Sequence, residues 1–253
     1  MIDTHSHIYG PEYDDDRHVV INRALEVGVT HHILANVDTT TIGQMTACHQ
    51  AYPTLTSMAM GLHPTSVDEN FADNLKIIEA ELSENRYVAI GEVGIDLYWD
   101  KTYETEQRQA LATQIDWAIQ LELPLILHVR KAYAETFDVL RQFRHHQLRG
   151  VFHCFGGGIE EAKKAVELGF YLGIGGVLTY KNSNLSDIIR PIGLEKILLE
   201  TDAPYLSPVP NRGKRNEPSN LTYVTERLAS FFNTETRIVD EITTTNARKL
   251  FAI

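Results

Sequence analysis

The sequence predicts a single eight-fold α/β barrel, and three observations predict it. The chain has 253 residues, a length at which one (β/α)8 barrel commonly closes. Eight short apolar runs recur along it, separated by segments with helical periodicity, the pattern of a parallel sheet with crossover helices. Six of those eight runs break off in a histidine, glutamate or aspartate, and the carboxyl ends of barrel strands all meet at one mouth.

In chain order, the first strand is expected at Met1–His5. The helix Arg17–Val27 follows, with Val20, Ile21, Ala24 and Leu25 on one face. Strands at His32–Asn36 and Ser57–Leu62 precede a helix at Asn74–Leu82 striped by Leu75, Ile78 and Leu82. The fourth strand, Tyr87–Gly91, leads to the helix Thr105–Leu121, with Leu111, Ile115, Ala118 and Ile119 as its apolar stripe. Strands at Leu125–His128 and Val151–His153 come before a helix at Gly158–Leu168 carrying Ile159, Ala162, Ala165 and Val166. Tyr171–Ile174 and Ile197–Glu200 complete the eight. The runs LILHV and ILLET are apolar without alternation, as suits strands buried on both faces. After the eighth strand, the segment Pro204 to Pro218 holds Pro204, Pro208, Pro210, Gly213 and Pro218. It is read as an irregular loop on the carboxyl face, where barrel enzymes keep their sites. Helices at Leu221–Phe232 and Thr236–Phe251 end the chain. No internal repeat, low-complexity stretch or linker interrupts this order, so residues 1–253 read as one domain.

Composition narrows the class. Hydrophobic residues make up 43% and charged residues 23%, which excludes a disordered, fibrous or coiled-coil chain. The net charge of −11 argues against holding nucleic acid by bulk electrostatics, but not against acting on it through a local basic rim and bound cations. Two cysteines, Cys48 and Cys154, build no disulfide framework and point to a reducing, cytoplasmic setting. The first residues, MIDTHSH, lack the form of a signal peptide, and no apolar run reaches the ~20 residues of a membrane span. No membrane contact and no stable protein partner is expected.

The strand ends carry the chemistry. His5 and His7 lie two apart, so an extended strand aims both imidazoles to one side. The other polar ends are His63, Glu92, His128, His153 and the group Glu200-Thr201-Asp202. Unpaired carboxylates gathered among imidazoles would raise one another's pKa, and divalent cations remove that cost. Imidazole with carboxylate and no thiolate cluster suits zinc, manganese or iron. Six side chains exceed what one cation takes while leaving room for water; two cations ~3.5–4 Å apart and sharing a carboxylate fit better. A lone histidine at a strand end is usually a core or rim residue, and His31, His32, His49, His145 and His146 are read that way. His18 is read as a surface-helix residue, and Cys154 as a buried thiol.

These residues stand in motifs that resemble the TatD family of metal-dependent hydrolases, a branch of the amidohydrolase-like barrels. The motifs here are Asp3-Thr4-His5-Ser6-His7, Gly61-Leu62-His63-Pro64, Gly91-Glu92-Val93-Gly94-Ile95-Asp96, Pro124 to Arg130, His153-Cys154-Phe155, Glu200 to Leu206, and Arg212 to Pro218. Together they cover nearly the whole chain. The resemblance implies a TIM-type barrel with a binuclear site. His5, His7, Glu92 and Asp202 would hold one cation, and Glu92, His128 and His153 the other, with Glu92 bridging. Zinc, manganese and magnesium are all compatible. One departure is Gly156-Gly157-Gly158, where the family often has Ser-Gly after the His-Cys-Phe stretch. These glycines would permit an unusual turn or a close substrate approach.

The activity implied is exonucleolytic hydrolysis of DNA, beginning at DNA ends, by a water that the cations activate. Asp202 is the expected proton acceptor. Glu200 is expected to back a histidine, touch substrate or make a structural hydrogen bond. His63 is expected to touch substrate or leaving group, and Arg130 to clamp a phosphate. Lys181, Arg212, Lys214 and Arg215 would extend a basic rim, unless Arg215 pairs with Glu217. Tyr98, Trp99 and Tyr180 offer faces for stacking on bases or covers for the barrel end. The same cation pair would polarise a carbonyl, so an amidohydrolase or esterase acting on a small molecule or an aminoacyl bond is the second reading. A metal-binding scaffold for a partner is a third.

Overall fold

A computed structural model describes residues 1–84 and 87–253. Eight parallel strands follow one another around a sheet in sequence order. They are β1 (Ile2–Ser6), β2 (His31–Ala35), β3 (Thr56–Met60), β4 (Ala89–Asp96), β5 (Leu125–Arg130), β6 (Gly150–Phe152), β7 (Phe170–Ile174) and β8 (Ile197–Leu199). Between and after them run α1 (Arg17–Glu26), α2 (Ile42–Ala51), α3 (Phe71–Glu84), α4 (Glu104–Gln120), α5 (Tyr133–Gln142), α6 (Ile159–Glu167), α7 (Leu185–Ile189), α8 (Leu221–Phe232) and α9 (Thr236–Phe251). The barrel closes beyond β8. Asp202 N donates to His5 O at 3.0 Å, His7 N donates to Ala203 O at 2.7 Å, and Ser6 and Ala203 form a parallel bridge. Asp3 reinforces that seam by accepting from Thr201 N at 2.9 Å and Thr201 Oγ1 at 2.6 Å.

Two apolar layers follow from strand alternation. Ile2, Ile33, Ala59, Ala89, Ile126, Val151, Tyr171 and Leu198, one from each strand, cluster with Ala247, Leu250 and Phe251 of α9. They fill the barrel below the mouth. Residues of opposite parity, such as Leu34, Met60, Leu127, Phe152, Leu172 and Leu199, join the helices in the larger core.

Three strands carry this alternation directly to the mouth: Ile126 is followed two residues on by His128, Val151 by His153, and Leu198 by Glu200. On β1 and β4 the same rule from Ile2 and Ala89 would turn Thr4 and Gly91 inward. The pairing register shifts between Asp3 and Ser6 on β1 and between Ile90 and Val93 on β4. Irregularities of this kind re-aim side chains, and they bring His5, His7 and Glu92 inside. β4 runs on to Asp96 rather than ending at Gly91 as expected. The structure adds three helices that the sequence pattern does not mark, α2, α5 and α7. At the mouth, Lys131, Cys154, Asp202 and Leu206 all have left-handed backbone, with φ of 57°, 44°, 58° and 53°. These turns lead the chain out over the carboxyl face.

Candidate active site

The polar strand ends meet. His5 Nε2 lies 3.2 Å from His7 Nε2 and 3.1 Å from Glu92 Oε2. His7 Nε2 is 3.6 Å from Glu92 Oε2 and 3.7 Å from Asp202 Oδ1. Across the pocket, Glu92 Oε1 is 2.8 Å from His128 Nδ1, 3.4 Å from His63 Nε2 and 3.6 Å from His153 Nε2. His153 stacks on His5 with ring centroids 3.5 Å apart and places Nε2 3.7 Å from Asp202 Oδ1. Glu92 therefore lies between two groups of imidazoles, and His153 stands between Glu92 and Asp202.

Hydrogen bonds behind the rings fix what each presents. Tyr9 Oη donates to Ala35 O at 2.7 Å and so accepts from His7 Nδ1 at 3.1 Å. That leaves the lone pair of His7 on Nε2, facing the pocket. His63 is the reverse case. Thr65 N donates to its Nδ1 at 3.1 Å, so a neutral His63 carries its proton on Nε2 and points a donor at Glu92. His128 Nε2 is backed by Asp96 Oδ2 at 2.9 Å. Asp96 is held in turn, since its backbone N donates to Gln107 Oε1 at 2.8 Å.

Glu200 lies behind His153, its Oε1 3.1 Å from Nδ1 and accepting from Cys154 N at 2.5 Å. A Cβ on Gly173 would come within 2.2 Å of Glu200 Oε2, so this glycine makes the niche for the carboxylate. Beyond β8 the chain is not extended, so Glu200 and Asp202 do not share a strand face. They reach opposite nitrogens of the same imidazole instead.

The electrostatics describe a pocket short of positive charge. Burial alone would raise the Glu92 carboxyl, but His5, His63, His153 and the hydrogen bond with His128 hold it well below the usual range. Burial opposes Asp202 ionisation too, and His7 and His153 outweigh it. His153 is resisted by burial yet pushed up to about 10 by Glu200 and Glu92. His128 is likewise raised against burial, by Asp96 and Glu92. Burial holds His5 and His63 down. Glu92 and Asp202 thus stay ionised, and protons are drawn onto buried rings. A divalent cation meets that demand with the imidazoles neutral. The donor set of ring nitrogens and carboxylate oxygens, in the overlapping groups His5–His7–Glu92 and His5–His153–Asp202 with His128 across Glu92, fits such an ion.

Around the mouth the expected basic rim is only partly present. Arg130 Cζ sits 3.8 Å above the Tyr98 ring, and Arg212 Cζ 4.4 Å above Tyr180. Arg215 does not pair with Glu217. It reaches Asp16 at 2.6 Å, while Glu217 is held by Arg23 at 2.5 Å. The run of glycines serves packing: Gly156 N donates to Tyr133 Oη at 3.0 Å, and a Cβ on Gly157 would meet the Tyr133 ring at 2.9 Å. Sequence reasoning missed the placing of Asp96 and Tyr9. Parity was the available signal, since Glu92, Gly94 and Asp96 alternate, as do His5, His7 and Tyr9.

The family model described as TatD related DNase matches residues 2–252. A Bacillus subtilis (strain 168) relative described as the uncharacterized metal-dependent hydrolase YabD is 34% identical over 254 residues, covering 100% of this chain and 99% of its own. A relative from Edwardsiella piscicida described as a 3'-5' ssDNA/RNA exonuclease TatD is 29% identical over 259 residues, covering 100% of both chains. The crystal structure of the TatD homologue YJJV from Escherichia coli K12 superposes with a TM-score of 0.93 at 28% identity, covering 100% of this chain and 98% of that one. This chain belongs to the TatD family of metal-dependent hydrolases.

Proposed function

We propose that the protein is an exodeoxyribonuclease that hydrolyses phosphodiester bonds at DNA ends with the help of two divalent cations. The observation that carries the reading is the mouth. The Arg130 and Arg212 guanidinium groups sit over tyrosine rings there, and among the described residues neither is within ion-pair distance of a carboxylate. Uncommitted guanidinium groups beside an acidic centre suit a substrate with phosphate groups. The description of the Edwardsiella relative as a 3'-5' ssDNA/RNA exonuclease supports the same substrate class.

In this reading His5, His7, Glu92 and Asp202 would hold one cation, and Glu92, His128 and His153 the other. Zinc, manganese and magnesium are the ions proposed. When bound, such cations acidify water and offset the charge that builds on the attacked phosphoryl group.

The residues supply the rest. The Asp202 side chain is 16% exposed against 4% for Glu92, so Asp202 is the carboxylate that an entering water reaches. It orients that water and accepts its proton. His63, with its proton on Nε2, donates to a phosphoryl or leaving oxygen. Arg130 grips a phosphate through its planar fork. Glu200 holds His153 from behind and leaves the front of the ring free. Both cysteines are free, which fits action in a reducing cytoplasm. Among the described residues no helix is long and apolar enough to cross a membrane.

The test is an activity panel across several divalent ions, with labelled single- and double-stranded DNA, RNA and a small ester. The nuclease reading expects stepwise release of nucleotides from a DNA end. Turnover of the ester with every oligonucleotide left intact would overturn it in favour of an esterase or amidohydrolase.

A further inference from the structure

We propose that Tyr98, Trp99 and Arg130 form a stacking station for an unpaired nucleobase, so that the site selects strand ends whose bases are exposed. The inference rests on the nuclease reading and names the part of the substrate that this rim grips.

The two rings lie in the connection from β4 to α4, on the mouth side of the barrel. Trp99 is 70% exposed and Tyr98 51%. Side chains that merely closed the barrel end would be buried against it, and these are not. Nor are they loosely attached. Asp96 Oδ1 accepts from Tyr98 N at 2.9 Å, while Asp96 Oδ2 backs His128. Leu97 N donates to Arg130 O at 2.9 Å. The Arg130 guanidinium lies 3.8 Å from the centre of the Tyr98 ring and 5.1 Å from that of Trp99, and the two rings meet edge to face at 4.9 Å.

A planar cation and two aromatic rings are thus pre-assembled two residues along β5 from His128. Every nucleobase offers a flat face to such a platform, and stacking of this kind tolerates any sequence. A guanidinium beside the stacked base can take the adjoining phosphate. Bases inside a duplex are already stacked on one another and offer no free face, so the platform favours an unpaired end.

The tryptophans make the test direct. Trp99 and Trp117 are the two in the chain, and Trp117 is 6% exposed, so quenching by a bound base reports Trp99. The magnesium-supplemented protein is titrated with a phosphorothioate oligothymidylate and with an abasic strand of equal length. The station predicts saturable quenching by the first and at least tenfold weaker binding of the second. It also predicts that Trp99→Ala weakens binding of an end-labelled strand, read by anisotropy, by about 5- to 150-fold. Equal binding of the two strands, binding of neither, or a Trp99→Ala affinity within twofold of the original would overturn it. Because the readout is binding, base-dependent quenching by a protein that cleaves no oligonucleotide would keep the station and discard the nuclease reading. Cleavage without base dependence would do the opposite.

Discussion

Which nitrogen of each imidazole faces the pocket decides what the site can do. His7 is pinned by Tyr9 so that its lone pair faces in, whereas His63 is pinned by Thr65 so that a proton faces in. One suits a ligand and the other a donor to substrate, although both rings approach Glu92. Replacing His128 or His153 by Ala is expected to abolish hydrolysis and reduce bound metal while circular dichroism keeps its folded form. Asp202→Asn is expected to keep most of the metal but to lower kcat by about 10²- to 10⁴-fold, the usual worth of a general base; single-turnover rates measure it. Glu200→Gln should weaken cation affinity by about 10- to 100-fold, as loss of a group behind a ligand does. Calorimetric titration with zinc checks this, and an unchanged affinity would remove Glu200 from its place behind His153. His128, His153 and Glu200 are legible as polar ends of apolar runs, and the structure sets each two residues beyond a barrel-filling residue, Ile126, Val151 and Leu198. The strand expected at Tyr87–Gly91 stops short of Asp96, which β4 includes.

At the scale of elements, the barrel was legible and its irregularities were not. Eight strands and the long amphipathic helices follow from periodicity. The helix α2 buries only Ile42, Met45 and Cys48, too thin a stripe among Thr, Gly and His to mark it. α5 buries Thr136, Phe137, Val139 and Leu140, a face with a polar member. The register shifts on β1 and β4 depend on pairing with neighbouring strands, which no local pattern encodes. Yet they turn His5, His7 and Glu92 inward.

The loop after β8 is tied to α1 and to the residue preceding it by two ion pairs, Arg23–Glu217 and Arg215–Asp16. Burial would raise the Glu217 carboxyl, but the hydrogen bonds from Arg23 and Ser219 bring it below its ordinary value. A carboxylate with a depressed folded pKa stabilises above its unfolded pKa of ~4.3, and that stability is lost as pH falls through the folded value. Glu217→Gln should therefore lower Tm by about 1–3 °C at pH 7. The difference should shrink as the pH is taken below about 4. Melting curves across pH 3–7 measure it, and a difference independent of pH would deny the ion pair this role.

For the whole molecule, a net charge of −11 means that, under the nuclease reading, phosphate binding would fall to a few local cationic side chains. With Arg130 and Arg212 as the two contacts, a single strand should show a log–log salt slope of about −1.4, or roughly sevenfold weaker kcat/KM between 50 and 200 mM salt. Arg130→Ala or Arg212→Ala should flatten that slope by about 0.7. A small neutral ester should respond to neither change.

The central claim is that Glu92 joins two sets of ligands around a pair of cations. Equilibrium dialysis against manganese or zinc, followed by elemental analysis, tests it most directly when the unaltered protein is compared with a folded Glu92→Ala variant. The expected result is two tightly held ions per chain, falling to one or none in the variant. The same number of ions with Glu92 removed, or no tight binding by the unaltered protein, would contradict it.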